Sequence, residues 1–283
     1  MQPVAADAVD MRGKRIAVVG GTDGLGRAIA KLAAARGAEV VVVGRTFRDE
    51  GHPGLSFLRA DLSSMKEAQR VGRALDAGLD VVVLTTGIMA AKAREVTAEG
   101  VERDLAISTL SRLAILRELA PRLAQRPAGA PKPRVFVMGF PGAGNLGDPD
   151  DLNAERDYSA TKAHFNTVAA NEAIVLDAKD RYPGVLSFGL NPGLVKTSIR
   201  SNFLGEGSFL HRMTELFIGL LTPTPEQYAA RVIPLLAAPE LEGRSGSMFG
   251  KKGTAILPTA GFDLALVNRF MAASEALLAR ATA

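Results

Sequence analysis

Short runs of β-branched and leucine residues alternate with longer stretches of helical period along the first half of the chain. The runs lie at 15–19, 39–43, 55–58 and 80–85, and stretches rich in Ala, Leu and Arg separate them. This alternation is typical of βαβ units around a parallel sheet, and continuous valine indicates strands that are covered on both faces. The sequence therefore predicts an α/β fold in which a doubly wound parallel sheet lies between two helical layers.

The same pattern continues through the second half of the chain. Apolar runs at 134–138 and 185–189 predict a fifth and a sixth strand, and 246–249 together with 255–257 predict a seventh. Helices are predicted at 25–36, 63–75, 98–125 (with Pro121 bending or ending it), 157–179 and from Thr224 toward Leu236. The last of these helices begins with a hydroxyl cap, a proline and a glutamine, which is a capping-box pattern.

The chain has 283 residues, of which 47% are hydrophobic and 23% charged, enough for a substantial core. Neither a linker nor an internal repeat divides it. We therefore expect one domain at 13–283 after a frayed tail at 1–12, which lacks the apolar segment of a signal peptide. Because there is no cysteine, thiolate metal sites and a cysteine nucleophile are excluded. The cytoplasm is the default expectation for its location.

Charge and hydropathy argue against two classes of partner. The formal net charge is only +4 and the basic residues never form a block, so we do not expect nucleic-acid binding. No apolar run approaches the roughly 20 residues that a transmembrane helix needs. The three histidines, His52, His164 and His211, are scattered, so we expect loop or surface positions rather than metal ligands.

A glycine-rich turn follows the first predicted strand and opens the first predicted helix. Such a turn lets the backbone approach a phosphate, whose charge the free N–H groups and the helix dipole attract. The alternative is a tight turn without a ligand. The residues of the turn that we expect to bind a phosphate group are Gly20, Gly21, Thr22, Asp23, Gly24, Leu25 and Gly26.

Tyr158 and Lys162 stand four residues apart in the segment Tyr-Ser-Ala-Thr-Lys. Residues at this spacing lie on one face of a helix, so we expect the phenol beside the ammonium group. A phenol with an ordinary pKa is a poor acid–base group at neutral pH, whereas an adjacent cation stabilises the phenolate. The pair is therefore our candidate for acid–base catalysis.

These two motifs in this order make the chain resemble the short-chain dehydrogenase/reductase family, over roughly residues 14–257. The resemblance implies a Rossmann fold that binds NAD or NADP, with Tyr158 exchanging a proton with a carbonyl or alcohol and Lys162 also holding the nicotinamide ribose. Val19 stands where the family usually has Thr. Further residues that the resemblance assigns to the cofactor are Asp61, Leu62, Thr86, Gly87, Pro192, Gly193, Val195 and Thr197. Asp61 has an alternative role as a helix cap near Ser63.

The end of the second strand bears on the choice of cofactor. An acid there binds the ribose of NAD, whereas a cation accepts the 2′-phosphate of NADP. This chain has Arg45, with Arg48 close behind, and an arginine fork matches a phosphate. We expect NADP rather than NAD, although Asp23 would repel the phosphate if it points inward. The alternative is that Arg45 is a solvated loop cation.

Two positions depart from the family pattern. Phe140 stands where the family has a Ser that orients the substrate carbonyl, and no Ser lies between Arg134 and Tyr158. Loss of one such donor can cost about 3 kcal/mol in the transition state. Ser108 stands where the family has an Asn that holds a water in the proton relay, and a serine can still bind water. We expect Phe140 to line the substrate pocket and Ser108 to act with the catalytic pair.

The segment 198–223 is apolar and corresponds to the family's substrate lid, which favours an apolar substrate; a membrane-surface or subunit contact is the alternative. Residues 105–119 and 163–176 correspond to dimer helices of the family, so a homo-dimer or homo-tetramer is expected, with ordinary core packing as the alternative. The leading prediction is an NADP-dependent oxidoreductase. A non-redox isomerase or cyclase, or an NADP sensor, is the alternative.

Overall fold

A computed structural model describes residues 5–193 and 223–283 of the chain. Its strands form one eight-stranded sheet in the order β3-β2-β1-β4-β5-β6-β7-β8. All neighbouring pairs are parallel except β7 and β8, which are antiparallel. The strands are β1 (Arg15–Val19), β2 (Glu39–Gly44), β3 (Leu55–Arg59), β4 (Val81–Leu84), β5 (Arg134–Met138), β6 (Leu186–Leu190), β7 (Met248–Phe249) and β8 (Ala255–Ile256).

Helices connect the parallel strands and cover both faces of the sheet. In chain order they are α1 (Gly24–Ala35), α2 (Met65–Ala74), α3 (Arg103–Leu105), α4 (Ser111–Leu123), α5 (Ala160–Arg181), α6 (Pro225–Ala237) and α7 (Leu264–Thr282). A π-helical segment, Ala106–Leu110, joins α3 to α4. Pro121 lies inside α4, which continues to Leu123, and the capping box predicted at the start of α6 is present.

The core consists of two apolar layers, one on each face of the sheet. Alternate residues of β1 face opposite sides, so that Ile16 and Val18 pack with α1 and α6, whereas Ala17 and Val19 pack with α2, α4, α5 and α7. Side chains of successive strand residues point to opposite faces. The predicted α/β/α architecture with a doubly wound, mostly parallel sheet is therefore confirmed.

Two details of the sequence prediction are wrong. The predicted seventh strand is a pair of short strands, β7 and β8, because the chain reverses at 250–254 and pairs Met248 with Ile256. The segment 1–12 is not simply a frayed tail: among its described residues, Met11 is only 1% exposed and its N–H donates to the Arg36 carbonyl. Burial of this apolar side chain beside the end of α1 stabilises the folded chain.

The C-terminal helix α7 was not predicted, yet it covers one side of the molecule. It packs against α5 and α2 and buries Phe270, Met271 and Leu278. The phenyl rings of Phe270 and Phe262 stack with their centroids 5.9 Å apart. The helix therefore supplies part of the apolar layer beneath α5.

Helix α5 has no exposed face over its middle ten residues, because every residue from 166 to 175 is buried within one chain. In α4, the residues from Ser111 to Leu116 are buried as well. These are the helices through which a homo-oligomer was expected. The apolar residues of this region pack inside a single chain, as the alternative of core packing predicted.

Replacing Phe270 by Ala tests the role of α7. Because the ring is fully buried, the change should lower the free energy of unfolding by about 3–5 kcal/mol. Urea denaturation measures it. Leu264→Ala is the matched control, since Leu264 lies in the same helix with 67% of its surface exposed, and it should change stability by less than about 0.5 kcal/mol. Equal effects of the two changes would contradict the docking of α7.

Candidate active site

The glycine turn lies at the carboxyl end of β1 and packs against the end of β4. Gly20 has φ +86°, and a Cβ atom there would stand 2.6 Å from the Thr86 backbone nitrogen. A Cβ atom on Gly26 would stand 2.4 Å from the Gly20 carbonyl oxygen. Only glycine therefore allows this turn. The close approach places the start of α1 in the crevice outside the strand ends, where ligands of doubly wound sheets bind.

Polar side chains surround the start of α1. Asp23 is the N-cap residue and accepts a 2.9 Å hydrogen bond from the Gly24 N–H. Its carboxylate lies 3.4 Å from an Arg48 guanidinium nitrogen, and both side chains are more than half exposed. Asp23 therefore has a cation beside it, which offsets the repulsion of a phosphate that the sequence suggested.

The other residues of the glycine turn pack against neighbouring parts of the protein. Thr22 packs against Gly44 at the end of β2, where a Cβ atom would lie 2.6 Å from the Thr22 methyl carbon. Gly21 lies against Val18, and Leu25 belongs to the apolar layer of α1. These contacts fix the turn between the ends of β1 and β2.

Arg45 and Asp61 lie at the ends of β2 and β3. Arg45 is exposed and has neither an ion pair nor a hydrogen-bond partner among the described residues. Asp61 accepts hydrogen bonds from the Ser63 N–H (3.0 Å) and hydroxyl (2.9 Å), while Ser64 is the N-cap of α2. Asp61 therefore closes the turn before the helix. Leu62 is 4% exposed and packs in the core, so its side chain does not face the crevice.

The end of β4 carries a buried hydroxyl group that lacks a partner among the described residues, Thr86 Oγ1. The neighbouring Thr85 hydroxyl donates to the Val19 carbonyl at 2.9 Å. A buried hydroxyl without a partner costs about 1–3 kcal/mol. Because Thr86 contacts the glycine turn, this hydroxyl is placed to bond a ligand of the crevice, and the residues present fit a dinucleotide.

Tyr158 and Lys162 do not lie on one helical face. Helix α5 begins at Ala160 after the N-cap Ser159, so Tyr158 precedes it, and Asp157 has φ +38°. The Tyr158 hydroxyl donates to the Ala91 carbonyl at 2.6 Å. The Lys162 ammonium instead lies 3.6 Å from Asp151 and 4.0 Å from Asp148. Tyr158 therefore precedes the helix that carries Lys162, and in this arrangement the two side chains bind different partners, so their pairing stays a prediction.

The electrostatic environment of Tyr158 is also the reverse of the prediction. Burial raises the pKa of its phenol, and the negative charges of Glu102, Asp104 and Glu95 raise it further. Lys162 is paired with aspartates in this arrangement, so its predicted effect on the pKa of Tyr158 stays a prediction. Tyr158 therefore keeps its proton at neutral pH.

Ser108 lies in the π-helical segment, a distortion that is often found at functional sites. Its hydroxyl donates to Asp104 Oδ1 at 2.6 Å and accepts from the Ile88 N–H at 3.0 Å. A Cβ atom on Gly87 would lie 3.6 Å from this hydroxyl. The structure therefore places the Ser108 hydroxyl beside Gly87, which follows the end of β4.

His164 was predicted to be a loop or surface residue, but it belongs to this polar cluster. Its Nδ1 lies 2.8 Å from Asp104 Oδ2, and Asp104 has no exposed surface. Burial lowers the pKa of His164, whereas the Asp104 hydrogen bond and charge raise it, and the net shift is upward. Sequence reasoning missed Asp104 altogether, because a single acid on a short helix gives no pattern.

Arg112 is a second functional candidate that the sequence did not reveal. Its guanidinium is buried and donates to the Thr86 carbonyl, to the Met138 carbonyl and, at 2.8 Å, to Asn171 Oδ1. It forms no ion pair within the described residues, and burial lowers its pKa to about 9. Arg112 therefore joins the ends of β4 and β5 beneath the crevice.

Phe140 is half-buried in the loop after β5. Glu172 holds this loop by accepting from the Gly142 N–H at 3.1 Å, and the Asn191 amide donates to the Pro141 carbonyl at 2.8 Å. Pro192 is buried, and Gly193 has φ +66°. The remaining predicted residues, Val195, Thr197 and nearly all of the lid at 198–223, lie outside the described residues.

Comparison with known proteins identifies the class of protein. The short chain dehydrogenase family matches residues 14–205, and the chain belongs to this family, whose members bind NAD(P). It is 47% identical over 279 residues to an uncharacterized oxidoreductase of Saccharomyces cerevisiae, covering 96% of this chain and 90% of that one. It is 30% identical to the polyprenol dehydrogenase of Mus musculus, covering 82% and 74% of the two chains.

The fold is shared with solved structures. One is a 3-oxoacyl (acyl-carrier-protein) reductase from Agrobacterium tumefaciens with NADP bound, at a TM-score of 0.64 and 21% identity, covering 88% of this chain and 96% of that one. Another is an uncharacterized protein from Mycobacterium paratuberculosis, at a TM-score of 0.70 and 20% identity, covering 98% of both chains. The family match and the relatives, and not these structures, identify the protein as a short-chain dehydrogenase/reductase and an oxidoreductase.

Two kinds of feature are absent from the described residues. No helix there is long and apolar enough to cross a membrane. Within the same residues, no group of three or more His, Cys, Asp or Glu side chains is arranged to hold a metal ion.

Replacing Gly20 by Ala tests the packing of the glycine turn. The change introduces both backbone strain, about 1–3 kcal/mol, and a clash with Thr86 that costs about 1–3 kcal/mol more. Gly13→Ala is the matched control, because Gly13 has φ +74° but open space around its Cβ position. Urea denaturation should give the larger loss of stability for Gly20→Ala. If both variants lose the same stability, the turn does not pack on β4 as described.

Proposed function

We propose that this oxidoreductase transfers hydride between NADP(H) and an apolar carbonyl or alcohol, with Tyr158 as the acid–base group. The observation that carries the proposal is the Tyr158 phenol, which keeps its proton because burial and nearby acids raise its pKa. A protonated phenol can donate to a carbonyl oxygen while that carbonyl is reduced. The neutral phenol is therefore the protonation state from which carbonyl reduction would start.

The dinucleotide would be held by residues at the carboxyl ends of the strands. The glycine turn and the N-terminus of α1 would accommodate a pyrophosphate. The buried Thr86 hydroxyl, which lacks a partner among the described residues, would form a hydrogen bond with the dinucleotide. Asp61 with Leu62, Gly87, and Pro192 with Gly193 border the same edge of the sheet. Bound there, the nicotinamide ring supplies or accepts hydride.

The preference for NADP rests on Arg45. This side chain is exposed, lies directly after β2 and forms no ion pair among the described residues, although its charge acts on the carboxylate of Asp61. A guanidinium binds a phosphate through two parallel hydrogen bonds. Arg48 follows in the same loop, although it lies beside Asp23. Arg45 is therefore the residue that we assign to the 2′-phosphate.

Tyr158 and Lys162 would both have to exchange partners in order to act. The Tyr158 hydroxyl must leave the Ala91 carbonyl to reach a substrate, and the Lys162 ammonium must leave Asp151 and Asp148 to reach a ribose. The Lys162 side chain is about a third exposed, whereas that of Asp151 is buried. When the ammonium leaves, the Asp151 carboxylate would keep the hydrogen bonds that it accepts from the Glu155 and Arg156 N–H groups.

An apolar substrate is supported by Phe140 and by the names of relatives. The half-buried phenyl group stands where the family has a polar Ser and offers an apolar wall. Two relatives are named polyprenol dehydrogenase and retinol dehydrogenase 13. Both names denote apolar alcohols, which fits a pocket of this kind.

The missing Ser also favours a second candidate function, a non-redox isomerase or cyclase that uses Tyr158 for proton transfer. Phe140 cannot donate the hydrogen bond that orients a carbonyl. The amount of NADPH oxidised per product molecule distinguishes the two functions. One NADPH per product supports the oxidoreductase, whereas product formation without NADPH oxidation supports the isomerase.

Replacing Tyr158 by Phe should lower kcat for ketone or aldehyde reduction by about 10²–10⁴-fold, because the variant lacks the proton donor. Absorbance at 340 nm with a panel of apolar ketones and aldehydes measures the rate. Tyr182→Phe is the matched control, since the Tyr182 hydroxyl accepts a hydrogen bond from Arg117 at the far end of α5. A Tyr158→Phe variant as fast as the parent enzyme would refute the assignment.

Replacing Arg45 by Ala should weaken NADP binding about ten- to hundredfold and leave NAD binding nearly unchanged, since only NADP loses a charged hydrogen bond. Isothermal titration calorimetry with each dinucleotide measures both affinities. Arg73→Ala removes the same charge from a surface arginine that is paired with Glu118 and should change neither affinity. Equal losses for NAD and NADP would show that Arg45 does not bind the 2′-phosphate.

A further inference from the structure

A buried carboxylate on α5 joins two segments that are distant from each other in the sequence. Glu172 Oε2 accepts hydrogen bonds from the Gly142 N–H (3.1 Å) and the Thr259 hydroxyl (2.8 Å), and its Oε1 accepts one from the Thr259 N–H (2.6 Å). The residue is only 1% exposed and forms no ion pair among the described residues. Because a buried carboxylate needs hydrogen-bond partners, Glu172 depends on these two segments, and they depend on it.

The first segment is the loop after β5, residues 139–148, which carries Phe140 and is called the β5 loop below. The second is the segment 257–263, which leads from β8 to α7. The two are in direct contact, because a Cβ atom on Gly142 would lie 2.7 Å from the Leu257 carbonyl oxygen. The carboxylate therefore binds both segments at the place where they meet.

Hydrogen bonds hold the backbone on either side of Phe140. The Gly139 N–H donates to the Leu190 carbonyl at 2.9 Å, and the Asn191 amide donates to the Pro141 carbonyl at 2.8 Å. These two bonds attach the β5 loop to the end of β6. The next bond along the chain is the one to the buried carboxylate, and it attaches the loop to α5. The position of the half-buried phenyl group is therefore set by three bonds of its neighbours.

The composition of the β5 loop makes such anchors necessary. Gly142, Gly144 and Gly147 have φ values of +73°, +80° and +62°. Glycine enters these conformations without a steric penalty, but it also has many others available. At the far end of the loop, the Asp148 N–H donates to Asn166 Oδ1 at 2.8 Å. The loop therefore owes its conformation to the groups that hold it rather than to its own side chains.

We propose that Glu172 is a positioning residue that, by holding Gly142 and Thr259 together, sets Phe140 as a wall of the substrate pocket and so determines which carbonyl compounds bind. The inference rests on the proposed function, in which Phe140 contacts an apolar substrate. Phe140 acts on the substrate directly, whereas Glu172 acts only through the β5 loop. The substrates that depend on this wall are ketones and aldehydes with a bulky apolar group, since a small carbonyl compound does not fill the pocket.

Replacing Glu172 by Gln tests the anchor by kinetics. The amide has nearly the same shape, but its NH₂ group cannot accept the hydrogen bonds that a carboxylate oxygen accepts. KM for ketones with a bulky apolar group should rise about tenfold or more, because binding to the wall is lost, whereas kcat and the KM of the smallest accepted ketone should change less than about twofold. Absorbance at 340 nm with ketones of increasing size measures both constants. Glu67→Gln is the matched control, since Glu67 pairs with Arg70 on the surface, and it should change neither constant.

A double-mutant cycle separates positioning from a general loss of stability. If Glu172 acts through Phe140, Glu172→Gln should raise the KM of Phe140→Ala for bulky ketones by less than about twofold, because the wall is already missing. Thr259→Val removes only the hydroxyl that donates to the carboxylate, and it should raise this KM by a smaller factor than Glu172→Gln. An undiminished effect of Glu172→Gln in the Phe140→Ala background would overturn the proposal.

Hydrogen exchange tests the anchor without turnover and in the parent protein alone. Gly142 is exposed, so its N–H should exchange slowly only if the carboxylate holds it. NMR should find this amide protected in the parent and less protected in Glu172→Gln, while the amides of β5 keep their protection in both proteins. An unprotected Gly142 amide in the parent would refute the anchor, even where a variant does not fold.

The outcomes distinguish this proposal from the proposed function. If Tyr158→Phe keeps full activity, the proposed function fails, yet the KM values and the exchange of the Gly142 amide still decide the role of Glu172. If Tyr158→Phe is inactive and Glu172→Gln has the parent's KM for bulky ketones, the positioning role is refuted and the proposed function stands. An inactive Tyr158→Phe, together with a selective rise in the KM of bulky ketones in Glu172→Gln, supports both.

Discussion

The arrangement of the crevice depends on one buried cation. The Arg112 guanidinium donates to the Thr86 and Met138 carbonyls and to Asn171 Oδ1, so it joins the ends of two neighbouring strands to helix α5. The Asn171 amide in turn donates to the Ser108 carbonyl in the π-helical segment. Removing a single member would leave buried polar groups unsatisfied, which costs more than the net gain from forming such a bond. These hydrogen bonds therefore hold the end of β4 against β5 and α5.

The sequence predicted the layers of this fold well, because its strands carry a local signal. Continuous valine marks β1, β2 and β4, and the apolar residues of α1 recur at helical spacing. Where burial depends on a distant part of the chain, prediction failed. Helix α7 has a capping Asp263 and buried residues at spacings of three and four, a pattern that could have been found, whereas the burial of Met11 depends on its contact with the end of α1.

The candidate site likewise contains some residues that the sequence predicted from a local pattern and others that it did not reveal. The glycine turn follows from spacing and context, and Gly20 and Gly26 have the close contacts that such a turn requires. The spacing of Tyr158 and Lys162 says only that the two share a face if both are helical. Because Asp157 has a positive φ and Ser159 is the N-cap of α5, Tyr158 lies before the helix and is not helical. Asp104, Arg112 and His164 gave no signal, because isolated polar residues come together only through tertiary packing.

The environment of Tyr158 determines the protonation state in which its phenol would begin the proposed reaction. Acids beside a half-buried phenol stabilise its protonated form, so the group carries a proton at neutral pH, is a weaker acid than a free phenol, and readily regains its proton as the phenolate. Oxidation of an alcohol needs the phenolate first and therefore has to overcome the charges of Glu102 and Asp104. Protonation of His164 neutralises part of that charge through its bond to Asp104. The acid cluster thus couples the proton affinity of the phenol to the charge of a histidine at the surface.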